Sequence, residues 1–353
     1  MSQEDPSFRN ISNNHFGDNV TIHQGDVHNH ASDQASQCLK DLRSTDPRDD
    51  KVRIQNTKGG LLKDSYRWIL EHETFKDWRD NAENRILWIK GDPGKGKTML
   101  LCGIIDELMP MTKLAQPNGQ TTNTILMSYF FCQGTDGRIN NATAVLRGLI
   151  YLIIAQEPSL ISHVLEKYNH AGKDLFSDAN AWVALSEIFA AILQDPKVKE
   201  VILVIDALDE CEADLSKLLD TIVQQFEFSH IKCIVSSRNI LGIQQRLESY
   251  IPQGILSLEL KGNASCVSEA VDAYIKHSIS CLTSIQGDHG IQEDLRKVVQ
   301  QKANGTFLWV SLVMKELEQA QSWEVMEVVA DMPTDLAALY NRMMHQINSL
   351  MRK

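Results

Sequence analysis

Eight consecutive residues constrain this chain more than any others: Gly91, Asp92, Pro93, Gly94, Lys95, Gly96, Lys97 and Thr98. They fit the pattern G-x-x-x-x-G-K-[ST]. The apolar run Ile86-Leu-Trp-Ile89 precedes them, and a helical pattern begins near Lys97. A strand, a glycine-rich turn and a helix in that order make a phosphate loop. The glycines let successive backbone N–H groups converge on a phosphate, and the helix adds the positive end of its dipole. Lys97 is then placed to reach the β- and γ-phosphates of a nucleotide, and the Thr98 hydroxyl to ligate Mg²⁺.

A loop of this kind needs a sheet around it, and the sequence supplies one. Short β-rich runs at 86–90, 125–132, 201–206, 232–236 and 255–260 alternate with helical patterns near 97–109, 142–156, 181–194, 214–226 and 241–249. That alternation predicts an α/β fold, a three-layer parallel sheet with crossover helices. After Asn263 the strand signal stops, and helices are expected near 266–280, 291–302, 306–320, 322–330 and 335–351. The organisation predicted is a disordered tail over 1–37, a linker and leading helices over 38–85, the nucleotide-binding core over 86–262 and a helical subdomain over 263–353.

About a hundred residues beyond the loop, Val201-Ile-Leu-Val-Ile205 runs directly into Asp206-Ala-Leu-Asp209-Glu210-Cys211. A continuous apolar run suits a strand buried on both faces, and acids at its C-terminal end fall beside the phosphate loop. Asp206 is the expected carboxylate of the Mg²⁺ shell. Asp209 and Glu210 are candidates to orient or deprotonate an attacking water; the plainer alternative is a solvated acidic helix start. The run Lys232-Cys-Ile-Val-Ser-Ser-Arg238 ends in an arginine. Its planar guanidinium suits a γ-phosphate, with a surface ion pair as the alternative.

Charge and length narrow the class further. Lys plus Arg number 35 against 46 Asp plus Glu, a net charge of −11, which argues against general binding to nucleic acid or anionic membranes. The apolar runs fall far short of the roughly 20 residues a membrane span needs. The polar, acidic start is unlike a secretory signal, and seven cysteines without a C-x-x-C pair suit reduced thiols. A cytoplasmic location is expected.

Taken in order, Leu61-Leu-Lys-Asp-Ser-Tyr-Arg-Trp68, the phosphate loop, Leu203-Val-Ile-Asp-Ala-Leu-Asp-Glu-Cys211 and Ser236-Ser-Arg238 resemble the NACHT domain of fungal NOD-like receptors, signal-transducing P-loop NTPases. Asn304-Gly-Thr-Phe-Leu-Trp-Val310 and Met332-Pro-Thr-Asp-Leu-Ala-Ala-Leu-Tyr340 extend the likeness, which covers about 38–353. The resemblance implies binding of ATP or GTP, slow hydrolysis, and a switch to a triphosphate state that forms homo-oligomers. It also implies signalling in innate immunity or heterokaryon incompatibility. No N-K-x-D guanine motif is present, which tilts the expectation towards ATP. Family members usually continue into a winged helix and sensor repeats, whereas this sequence stops at Lys353, so either a truncated or regulatory form or an incomplete gene model is expected. An adaptor whose nucleotide site is mainly structural is the alternative.

The tail from Asn13 to His30 repeats Gly-Asp around Val20-Thr-Ile22. Such segments either stay disordered or stack as ladders that recruit a downstream effector. The spacing of His15, His23, His28 and His30 fits no compact zinc site. Trp68, Trp78, Trp88, Trp182, Trp309 and Trp323 fall in apolar patterns and are expected in the core, and Cys211 is expected to be a structural thiol.

Overall fold

The computed structural model describes residues 27–115, 123–225, 228–250 and 254–350. Four helices come first: α1 (Val27–Leu42), α2 (Pro47–Thr57), α3 (Lys63–Glu71) and α4 (Glu73–Asp80). The central part runs β1 (Ile86–Lys90), α5 (Lys97–Leu108), β2 (Ile125–Phe131), α6 (Ala142–Gln156), α7 (Ser162–Ala171), α8 (Ala181–Leu193), β3 (Glu200–Asp206), α9 (Leu215–Gln225), β4 (Ile231–Ser237), α10 (Leu241–Leu247) and β5 (Ile255–Ser257). Five helices follow: α11 (Lys261–Ser280), α12 (His289–Ala303), α13 (Phe307–Leu317), α14 (Val325–Ala330) and α15 (Leu336–Leu350).

The sheet order is β2-β3-β4-β1-β5, and every pairing is parallel. From β1 the chain crosses to the far edge at β2 and steps back, so β4 lies between the strand bearing the phosphate loop and the strand bearing the acids. Register does the rest. Ile89 pairs with Ser236 and Ile205 with Val235, so Gly91, Ser236 and Asp206 end their strands at one level. That level is the crevice where open α/β sheets hold ligands. Ile86 to Ile89 are all buried, each contributing about 1.5–3 kcal/mol of apolar burial. α5 is buried on most of its circumference, which is why its sequence reads apolar all round rather than amphipathic.

The predicted strands and helices of the core are present, most shifted by one or two residues. The run expected over 255–260 pairs only through Ser257, and Leu260 projects into solvent. α7 was not expected; it buries only Val164 and Tyr168, too few apolar residues to mark a period.

The tail and linker differ from expectation. α1 begins at Val27, inside the span read as disordered, and continues through the stretch read as linker. Cys38 and Leu42, four residues apart, are fully buried. Arg147 donates to the carbonyls of Asp41 and Leu42 at 2.8 Å each, and the Tyr168 hydroxyl to Asp41 at 2.5 Å. Long-range partners therefore stabilise a helix whose own composition is too polar to announce it. α2 starts inside the same stretch, with Asp46 accepting from the Arg48 N–H at 3.0 Å and Pro47 at the first helical position. The Gly-Asp repeat and Val20-Thr-Ile22 lie outside the described residues, as do His15 and His23 and the side-chain surroundings of His28 and His30.

Among the described residues no helix is long and apolar enough to cross a membrane. Trp78, Trp88 and Trp309 are buried as expected, but Trp323 is 76% exposed, and the expectation of a core role fails there. It follows the end of α13 on a short connection whose neighbours are polar, so nothing covers it.

Candidate nucleotide site

A cavity of about 390 Å³ opens at the C-terminal edge of the sheet. One wall is the phosphate loop, from Pro93 through Thr98 into α5. Gly94 and Gly96 have φ of +80° and +84°, a left-handed geometry that favours glycine. Lys97 Nζ donates to the carbonyls of Gly91 at 2.5 Å and Asp92 at 3.0 Å, folded back along its own loop. Burial lowers its pKa, opposed by the charges of Asp209 and Asp206.

The floor is the end of β3. Asp206 is buried and accepts from the Ser236 hydroxyl at 2.5 Å, and it also hydrogen-bonds Thr98. Burial pushes its carboxyl pKa up, and the Ser236 and Thr98 bonds only partly offset this. A hydroxyl and a buried carboxylate short of cationic charge, side by side, form a donor set that suits a hard divalent cation. Thr98 and Asp206 therefore meet as expected. Ser236 is the addition: its hydroxyl also accepts from the Ala207 N–H at 2.9 Å, so one serine fixes both the carboxylate and the turn after it.

That turn is strained. Ala207 has φ +55°, a left-handed conformation that costs a non-glycine residue roughly 1–2 kcal/mol. It ends β3 abruptly and carries Asp209 and Glu210 to the cavity wall. Asp209 takes both the backbone N–H of Arg238 at 2.8 Å and its guanidinium Nε at 2.5 Å. The Asp209 side chain is 3% exposed and that of Arg238 48%, a lopsided pair in which the arginine caps a buried carboxylate. Glu210 accepts from the Gly134 N–H at 3.0 Å. All three candidates line the cavity, with Asp209 and Arg238 engaged on each other.

The far wall comes from outside the sheet. Leu62 and Trp68 line it from the leading helices, Val267 and Tyr274 from α11, and Phe307 and Leu308 from α13. Trp68 is half-buried, packed against the core on one side and lining this space on the other. α13 begins directly on the phosphate loop. Leu308 N–H donates to the Gly94 carbonyl at 3.3 Å, and Lys95 Nζ to the carbonyls of Asn304 at 3.2 Å and Gly305 at 3.0 Å. A Cβ at Gly96 would stand 2.8 Å from the Phe307 ring. Asp92 N–H is held by Glu259, just past β5. Neither Glu259 nor the Lys95 contact is signalled by the loop motif, because both arise from residues far away in sequence.

Cys211 is buried, with its thiol donating to the Ala213 carbonyl at 3.4 Å and its pKa pushed up to about 12 by burial, as befits a structural thiol.

The family model of Nephrocystin 3, N-terminal, matches residues 64–238, from the start of α3 to Arg238. Vegetative incompatibility protein HET-E-1 of Podospora anserina is 51% identical over 314 residues, which is 88% of this chain and 22% of that protein. This chain thus spans about a fifth of the relative's length. The solved structure of C. elegans PCH-2 aligns with 79% of this chain and 66% of its own at 16% identity, with a TM-score of 0.39, too loose a likeness to bear on the site. The family match spans both the loop and the acids, and together with the identity to the incompatibility protein it supports an NACHT-type domain of the NOD-like receptor kind.

Proposed function

We propose that this chain is a nucleotide-dependent signalling switch that binds ATP or GTP with Mg²⁺ and hydrolyses it slowly. The observation that carries the reading is the convergence, in one cavity, of a left-handed glycine loop, Lys97, and the hydrogen-bonded group of Thr98, Asp206 and Ser236. Lys97 leaves the Gly91 and Asp92 carbonyls to meet the β- and γ-phosphates, while the loop N–H groups hold the phosphate chain. Thr98 and Asp206 would hold Mg²⁺, which supplies charge neutralisation between the phosphates. The apolar wall of Leu62, Trp68, Val267, Tyr274 and Phe307 takes the base. Glu210 and Asp209 orient the attacking water, and Arg238, released from Asp209, meets the γ-phosphate.

The relative's name supports a part in vegetative incompatibility; a part in innate immunity, oligomers of the triphosphate form and an effector engaged through the N-terminal segment follow from the resemblance drawn in the sequence. A second reading, an adaptor with a mainly structural nucleotide site, is favoured by the mutual engagement of Asp209 and Arg238. Binding and turnover of ATP and GTP with Mg²⁺ separate the two. Loss of binding in Lys97→Ala, with binding kept but turnover reduced at least about tenfold in Glu210→Gln, is expected for the switch. A folded chain that binds neither nucleotide would overturn it.

A further inference from the structure

The cavity has a second lysine that the loop motif does not provide. Lys58 lines it together with Lys97, Thr98 and Asp206, and comes from the end of α2, more than thirty residues before the loop. Its position is fixed by α5. Lys51, buried, pairs with Asp106 at 2.6 Å, and Gln55 donates to the same carboxylate at 3.2 Å. Lys58 stands two turns beyond Lys51 on the same face of α2. Lys51 meets Asp106 while Lys58 lines the cavity with Thr98, so α2 runs against α5 in the opposite direction, from Asp106 back towards Thr98.

The chain then reverses at Gly59 and Gly60, with φ of +87° and +91°; the Gly60 N–H donates back to the Gln55 carbonyl at 2.8 Å. α3 returns along α5, with the Tyr66 ring pressed so closely to Gly103 that a Cβ there would stand 2.4 Å from it. Segment 47–71 is a strap that packs both α2 and α3 against α5, with Lys58 at its turn. Among the described residues no carboxylate forms an ion pair with Lys58.

Lys58 is exposed where it lines the cavity that also holds Thr98 and Asp206, and among the described residues it has no ion-pair partner, so its ammonium is open to an anion. Resting on the nucleotide-switch reading above, we infer that Lys58 is a further ligand for the terminal phosphate of a bound nucleoside triphosphate, and that it ties α2 to the presence of that phosphate. The consequence is regulatory. A diphosphate leaves Lys58 without its anion, while a triphosphate fastens the strap, so the nucleotide's state is read directly by the helices that follow the N-terminal segment.

The test uses the full chain as wild type, Lys58→Met, Lys58→Arg and Lys97→Ala, and measures dissociation constants for ATP and ADP, and for GTP and GDP, with Mg²⁺. Lys58→Met is expected to weaken the triphosphate about tenfold or more while leaving the diphosphate within about twofold, and Lys58→Arg to restore most of the difference. Amide exchange across 47–57 gives a second readout: triphosphate slows it in wild type and not in Lys58→Met. Equal losses for triphosphate and diphosphate, or an unchanged ratio with unchanged exchange, overturn the role of Lys58. Wild type that binds no nucleotide overturns the switch reading and this inference with it. Wild-type binding that Lys97→Ala abolishes and Lys58→Met leaves alone removes this inference only.

Discussion

The two sides of the cavity are built differently. On the sheet side every polar group has a short, local partner: Asp206 with Ser236 and Thr98, Ala207 with Ser236, Asp209 with Arg238. The helical side is an apolar surface drawn from three separated segments and joined to the loop by the Lys95 and Leu308 contacts. The first arrangement suits holding atoms in place, since buried polar groups tolerate few geometries. The second suits movement, since apolar surfaces slide and separate without leaving polar groups unpaired.

Three substitutions probe that contrast. The largest effect is expected from Gly94→Ala, which puts a Cβ 2.9 Å from both Leu308 and Thr306 at a φ of +80°. Left-handed strain and overpacking together should cost roughly 2–5 kcal/mol, read as a lowered thermal midpoint and as loosened protection of α13 in amide exchange. If α13 stays protected, the helical side is as rigid as the sheet side and the contrast fails.

Asp206→Asn comes next and should act in the opposite sense. Burial raises the Asp206 carboxyl, so the folded chain holds that proton more tightly than the unfolded chain does. The stability linked to this group is therefore present at low pH and declines as pH rises through the raised value, above the ordinary carboxylate range. Asparagine removes that decline, and the nucleotide-free variant should be about 1 kcal/mol more stable near neutral pH, with its Mg²⁺-dependent binding lost. A less stable variant would mean that the carboxylate is already compensated.

The smallest effect is expected from Lys95→Met, which removes the bonds to Asn304 and Gly305 while keeping the apolar stem. About 1 kcal/mol or less should be lost, detectable as faster exchange at 304–308 with β1, β3 and β4 unaffected. Spread of the effect into the strands would show that the two sides unfold as one unit.

The same contrast governs what could be read from the amino-acid order. The sheet side was legible because its signals are local: an apolar run, then Gly91 to Thr98; another, then Asp206 to Glu210. Register placed Thr98 and Asp206 together as those signals imply. The helical side and the strap were not legible, since Phe307, Lys58 and Trp68 acquire meaning only from what packs against them. Lys58-Gly59-Gly60 offered one hint, a lysine before a glycine pair at a helix end, but nothing in it points to the cavity beside the phosphate loop. α1 escaped notice for a related reason: among its described side chains only two, four apart, are buried, and the arginine that holds its C-terminal carbonyls is more than a hundred positions downstream.

Lys95 and the carbonyl it grips at Asn304 are 209 residues apart. On a ribosome adding roughly 5–20 residues per second, the phosphate loop emerges about 10–40 s before the segment that will cover it. The sheet is complete once Ser257 has emerged, so for the last part of that interval it stands without the cover that begins at Asn304. The cavity is thus open on one side in the nascent chain and gains its far wall only when α13 is made.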